Sequence, residues 1–154
     1  MLGGNGYVEE SALPRLYREA PLNSIWEGSG NVMCLDVLRA TRREPAAVEA
    51  LFDELALARG GDIRLDSHVA ALKSALAGTV GGEFGPDDVT GEGGARRLAG
   101  GIAAALAAAL MVRHASPAAA DAYCASRLDR LGSGALGTLP RGVGCADIIA
   151  QSSG

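Results

Sequence analysis

The sequence predicts an all-α protein, a helical bundle, on three observations. Hydrophobic residues make up 48% of the chain but aromatics only 4%. The apolar content is therefore Ala and Leu, which are among the strongest helix formers. Apolar residues recur at i, i+3 and i+4 in five separate segments, each bracketed by start and stop signals. No run alternates β-branched with polar residues, so a large sheet is not expected. The 154 residues amount to one ordinary domain, large enough to bury a real core.

The elements follow in order. Leu2 to Tyr7 is a glycine turn. Its backbone N–H groups can line an anion, or it is a plain turn. Ser11 is a possible N-cap for a short helix with Pro14 early in it and Leu13, Leu16 and Tyr17 on one face. Arg15 and Arg18 are placed to pair with Glu19 or Glu10. Pro21 should end this helix, because a proline pushes the preceding residue out of the α region. A helix opens at Asn31, a good N-cap residue, and runs to about Arg43 with Val32, Leu35 and Leu38 on its apolar stripe. Pro45 starts the next helix, which carries Val48, Leu51, Phe52, Leu55 and Ala58 and stops at Gly60-Gly61.

A third helix runs from near Ile63 to Ala77, with Leu65, Val69, Leu72 and Leu76 on its stripe and His68 beside it. A lone helical histidine with no second ligand at i+4 is expected to be satisfied or solvated rather than a metal ligand. Residues 78 to 94 form a Gly-rich connector without the Lys-Ser/Thr of a phosphate loop. The helix from about Ala95 to His114 is apolar all round from Leu98 to Val112. That run is shorter than a membrane span, so a buried central helix is expected. Ser116-Pro117 forms an N-cap and N1 pair for a helix reaching Leu131 and stopping at Gly132. A further short helix is possible at 146–150. There is no internal repeat.

The net charge of −4 suggests neither a membrane nor a nucleic-acid footprint. Cys34, Cys124 and Cys145 are odd in number and lack metal spacing. They read as reduced thiols of a cytoplasmic protein, part of the packing. A motif follows Met1 at once, so no signal peptide is expected.

The chemistry-bearing stretch is Asn23-Ser24-Ile25-Trp26-Glu27-Gly28-Ser29-Gly30-Asn31. It sets one carboxylate between an indole and two glycines, just before a helix N-terminus. Glycines there allow close backbone approach. A carboxylate so placed is either a cap-region charge or a catalytic base.

Ile25-Trp26-Glu27-Gly28-Ser29 resembles the Tyr-Glu-Gly-Thr signature of acyl-CoA dehydrogenases. Leu2-Gly3-Gly4-Asn5-Gly6-Tyr7 resembles that family's Gly-Gly-x-Gly-Phe/Tyr flavin loop, and Arg15-Leu16-Tyr17-Arg18-Glu19-Ala20 matches its Arg-Asp-Ala helix. Order and spacing agree over residues 2 to 43. Tyr7-Val8-Glu9-Glu10, the Trp and Ser variants at 26 and 29, and Met33-Cys34-Leu35-Asp36-Val37-Leu38-Arg39 most resemble the AidB-type, alkylation-response branch. Asp121 to Leu128 is similar to the C-terminal extension of that branch.

The resemblance implies residues 1–43 as the end of the family's C-terminal helical domain and 44–154 as the extension. The chain then looks like the C-terminal piece of such a protein. The family's N-terminal and middle β-domains and its flavin-binding Gln would precede Met1. The implied function is FAD-dependent α,β-dehydrogenation of an acyl-CoA thioester. Glu27 would be the base taking the α-proton, with Trp26 and Gly28 near substrate and flavin. Ser29 and Asn31 would contact the flavin, and Gly4 would meet the adenosine side of a neighbouring subunit's FAD, which implies a homo-oligomer. Trp26 has a second reading, a buried anchor for the turn. The alternative function implied is DNA binding in alkylation protection. Charge argues against it: from Pro45 onward acidic residues outnumber basic ones 12 to 9, with Arg42-Arg43 and Arg96-Arg97 the only basic doublets. With the other walls of the site missing, this chain alone is expected to be inactive.

Overall fold

The computed structural model describes residues 3–26, 30–79, 92–129, 139–140 and 142–152. Among these there are seven α-helices and no strand: α1 Leu13–Glu19, α2 Gly30–Arg43, α3 Pro45–Ala56, α4 Ile63–Thr79, α5 Ala95–His114, α6 Pro117–Arg127 and α7 Cys145–Ser152. The fold is all-α, as the composition and the helical stripes predict.

Helix α5 is the hub, with α2, α3, α4 and α6 packing against it. The core joins Leu38 of α2, Leu55 of α3, Leu65, Leu72 and Leu76 of α4, Leu98, Ala105, Ala108 and Ala109 of α5, and Cys124 of α6. Each fully buried leucine contributes roughly 1.5–3 kcal/mol relative to exposure. The alanines do something different: their short side chains let the axes of neighbouring helices approach. Gly61 is the tightest example. A Cβ built there would lie 2.4 Å from Val112 Cγ1, so any other residue would force Val112 or the α3–α4 link to shift.

Several expectations need correction. Helix α5 is central, but its burial is a stripe of Ala95, Leu98, Ala105, Ala108 and Ala109, and Leu110 is exposed. By length and composition alone its 20 residues would suffice to cross a membrane. Val32 is exposed at the start of α2, so the buried face of that helix begins at Cys34 and Leu35 and culminates in Leu38, 2% exposed, and Thr41. Thr41 is buried but satisfied, its hydroxyl donating to Leu38 O at 2.9 Å. Helix α1 ends just before Pro21, as expected, with Ala20 as its C-cap, but not for the reason expected. Ala20 stays in the α region (φ −55°, ψ −44°) and the chain tightens into a 3-10 segment, Ala20–Ser24.

Capping also differs in detail. Ala12, not Ser11, is the N-cap of α1, and the Ser11 hydroxyl accepts from Leu13 N–H at 3.3 Å. Ser116 caps α6 as predicted, accepting from Ala119 N–H at 3.3 Å. Asp62, passed over in the sequence, caps α4 by accepting from Arg64 N–H at 2.8 Å. An Asp directly before an apolar-striped segment was the available signal. Helix α6 ends at Arg127, and α7 is longer than the 146–150 segment expected. The expected stop at Leu131-Gly132 and most of the Gly-rich connector lie outside the described residues.

Candidate functional site

The site region is built from two pieces. The first is the N-terminal glycine segment. Gly3–Gly6 forms a 3-10 turn, closed by Tyr7 N–H donating to Gly4 O at 2.9 Å, with Gly3 at φ +54°. A Cβ on Gly4 would meet nothing within 4 Å, so this backbone face is open to an approaching group. Tyr7 packs edge-on against Tyr17 of α1, with ring centroids 6.3 Å apart. Arg18 pairs with Glu9 rather than Glu10, and Arg15 Nε donates to Glu19 Oε1 at 2.8 Å. Tyr7, Val8, Pro14 and Tyr17 help line a cleft of about 470 Å³.

The second piece is the turn into α2. Ile25 and Trp26 close the 3-10 segment, both N–H groups donating to Leu22 O, at 2.9 and 3.0 Å. Trp26 is 54% exposed, so it is not a buried anchor. The indole is instead available to a partner or ligand. Glu27, Gly28 and Ser29, the predicted base and its neighbours, lie outside the described residues. The helix then begins at Gly30, one residue earlier than expected. Asn31 is thus inside the first turn. Its Oδ1 does not serve as the N-cap acceptor of α2 but accepts two hydrogen bonds from Arg96, from Nε at 3.0 Å and from Nη2 at 2.7 Å. A Cβ on Gly30 would sit 3.0 Å from Arg96 Nη2, so glycine here admits the guanidinium.

Arg96 is the residue the sequence reading missed. It stood out only as half of an arginine doublet, and no local pattern ties it to a residue 65 positions away.

Two other polar groupings are structural. Asp62 and Asp121 both accept from Arg64 Nη2, at 2.5 and 2.6 Å. The Arg64 hydrogen bond holds the Asp62 carboxyl below its ordinary value. Beside them Cys124 is fully buried, and desolvation, with the nearby Asp62 charge, pushes its thiol up to about 11. Cys145 is exposed, which corrects the expectation that all three thiols belong to the packing. His68 Nε2–H donates to Gly101 O at 3.0 Å, a satisfied side chain as expected. A further cleft, of about 480 Å³, opens between α3 and α4 beside Phe52, Val69 and Lys73, and its lining includes neither Trp26 nor Asn31.

Comparisons with known proteins bear on the first two pieces. Residues 1–41 match the family described as acyl-CoA dehydrogenase, C-terminal domain. The chain is similar to the protein of Escherichia coli (strain K12) named "Putative acyl-CoA dehydrogenase AidB", at 40% identity over 132 residues. That covers 86% of this chain and 22% of AidB. It is also similar to acyl-CoA dehydrogenase family member 11 of Caenorhabditis elegans, at 33% identity over 129 residues, 74% of this chain and 20% of that protein. The chain thus spans about a fifth of the length of these relatives. The matched family region ends just inside α2, whereas α2 packs against α5.

Proposed function

Because the chain belongs to the acyl-CoA dehydrogenase family, we propose that it supplies the catalytic turn and part of the flavin site of an FAD-dependent oxidoreductase acting on acyl-CoA thioesters. The observation that carries the reading is the match over residues 1–41, which contains Gly4, Trp26, Glu27, Gly28, Ser29 and Asn31 together. Three described residues support the reading. Gly4 has an open backbone face, Trp26 offers an exposed ring for packing, and Asn31 is exposed at the start of a 14-residue helix.

In this reading Glu27 removes the proton α to the thioester carbonyl. A carboxylate does this well when substrate burial raises its proton affinity towards the operating pH. Backbone N–H groups after it, at Gly28 and beyond, would polarise the carbonyl as charge develops on its oxygen. Flavin, when bound, supplies the acceptor for the β-hydride. Trp26 would shield the reacting carbons from water, and Gly4, Ser29 and Asn31 would hold the dinucleotide.

The exposed apolar side chains Tyr7, Val8, Leu13, Leu16, Tyr17, Leu22 and Ile25 are surface that the remaining walls of the site, from a second copy or another domain, would cover. Alone, the chain should hold FAD weakly, because a half-open site loses buried area and pre-organised hydrogen bonds.

The test is a chimera in which this chain replaces the corresponding region of AidB. Flavin reduction by an acyl-CoA should fall by at least about 10²–10⁴-fold in Glu27→Gln, the usual contribution of a general base. Unchanged reduction would reject the role of Glu27. A stoichiometric yellow protein from the isolated chain, reducing dye with acyl-CoA, would reject the incompleteness of the site.

A further inference from the structure

We infer that Arg96 is a positioning residue for the cofactor turn: it fixes the amide of Asn31 so that this side chain offers donors, not an acceptor, to whatever binds there. The inference rests on the reading of Asn31 as a flavin contact.

A guanidinium carries only donors, so the group facing it must be an acceptor. Nε and Nη2 of Arg96 both reach Asn31 Oδ1, at 3.0 and 2.7 Å. That geometry settles which end of the amide lies towards α5. The amide is planar, so fixing Oδ1 against Arg96 turns Nδ2 and its two protons the other way, and Asn31 can then recognise only an acceptor, such as a carbonyl or phosphate oxygen. Without Arg96, Oδ1 would be free to turn back to the N–H groups of its own first turn, the ordinary choice of Asn at a helix start.

Among the described residues, the first turn of α5 holds no acidic residue to pair with a cation at position 96. It lies in the first turn of α5, where the helix dipole disfavours positive charge, and it reaches into the first turn of α2, where the same holds. The charge-assisted hydrogen bonds to Asn31 offset that cost. Gly30 completes the arrangement, since a Cβ there would lie 3.0 Å from Nη2 and 3.4 Å from Nη1. The glycine before Asn31 therefore has a second role besides ligand approach: it makes room for the clamp. The consequence is long-range. A residue on the hub helix, beyond the region that matches the family, sets the hydrogen-bonding character of a residue within it.

The experiment uses the 15N-labelled full chain. Without ligand, Arg96→Gln should shift the Asn31 side-chain NH2 resonances and lower the heteronuclear NOE of the Gly30, Asn31 and Val32 amides. Amides of α4 and α6 should stay unchanged, and so should the thermal midpoint. Gly30→Ala should reproduce the effect with Arg96 intact. Arg96→Lys, which keeps the charge and loses the fork, should fall between. FAD is then titrated and followed at the Asn31 amide. Arg96→Gln should weaken binding about three- to tenfold, the range expected for one ordinary net hydrogen bond to the ligand, and should have no further effect in an Asn31→Ala background. Asn31→Asp should keep the order of the turn, because the carboxylate still accepts from Arg96, yet should bind FAD more weakly than wild type, because the donor is gone. Unchanged Asn31 NH2 shifts and amide order in Arg96→Gln, or effects of Arg96→Gln and Asn31→Ala that multiply, would overturn the inference. If the wild-type chain shows no FAD binding at all, the flavin reading loses support, and the ligand-free resonances alone decide whether Arg96 holds Asn31.

Discussion

Residues 3–26 and the α2–α6 bundle treat their apolar side chains in opposite ways. In the N-terminal segment Tyr7, Val8, Leu13, Leu16, Tyr17, Leu22, Ile25 and Trp26 are all exposed, and Pro14 is the buried residue among the described side chains. In the bundle Leu38, Leu55, Leu65, Leu72, Leu76 and Leu98 are buried. Both regions carry the same kinds of residue at helical spacing, so the pattern alone does not separate them. What separates them is whether partner helices are present within the chain. A short helix such as the seven-residue α1 cannot hold itself by local hydrogen bonds. Its order here depends on the adjoining 3-10 segments, and its apolar face is left for something outside the described chain. The motif-bearing region is thus the part with the least stabilisation of its own, and the bundle is the scaffold that carries it.

The largest expected effect tests this contrast directly. Leu65 is 1% exposed and Leu16 57%. Leu65→Ala should cost about 2–5 kcal/mol, the usual range for a buried leucine, whereas Leu16→Ala should stay within about 0.5 kcal/mol. Urea denaturation followed by circular dichroism measures both. Equal losses would mean that the N-terminal face is covered in solution, most simply by self-association.

A smaller effect comes from added rather than removed volume. Gly61→Ala drives a methyl into Val112 and should destabilise by about 1–3 kcal/mol, as overpacking does. Gly4→Ala meets nothing within 4 Å and should leave the midpoint unchanged, so any loss of FAD binding in that variant would report on the site rather than on folding.

The smallest effect is electrostatic. The folded-state Asp62 carboxyl is held below its ordinary 3.8, chiefly by the hydrogen bond from Arg64, with burial opposing. Its contribution to stability is therefore present above about that pH and is lost as pH falls through the lower folded value. Asp62→Asn should flatten the acid limb of stability below pH 3.8. The exposed Arg15–Glu19 pair of α1 should leave no comparable mark. At the alkaline end Cys124, raised to about 11 by burial, favours the folded state less as pH climbs from 9.0 towards that value. At pH 8 a thiol reagent should label Cys145 first and Cys124 only on unfolding.

The sequence by itself determined the helices. Pro45 and Ser116-Pro117 act through groups within about four residues of one another, so helix starts at Pro45, Ala95 and Pro117 and the end of α5 at His114 were legible, whereas α3 ends at Ala56, ahead of the expected Gly60-Gly61 stop, and Asn31 is not the cap of α2. The family resemblance was legible too, because the motifs that carry it lie on one stretch, residues 1–41, that matches the family. Only the tertiary structure decided which side of a stripe is covered and which distant residue meets which. Val32 continues the apolar stripe of α2 yet is exposed, and Cys145 is exposed while Cys124 is sealed. Arg96 reaches Asn31 across 65 residues, and Arg64 reaches Asp121 across 57. The physical reason is range. A helical period or a cap is settled by the backbone within a turn, whereas a hydrogen bond between helices exists only after the axes have packed. That packing is fixed jointly by the volumes of Leu38, Leu98, the alanines of α5 and a glycine at 61 that leaves room for Val112.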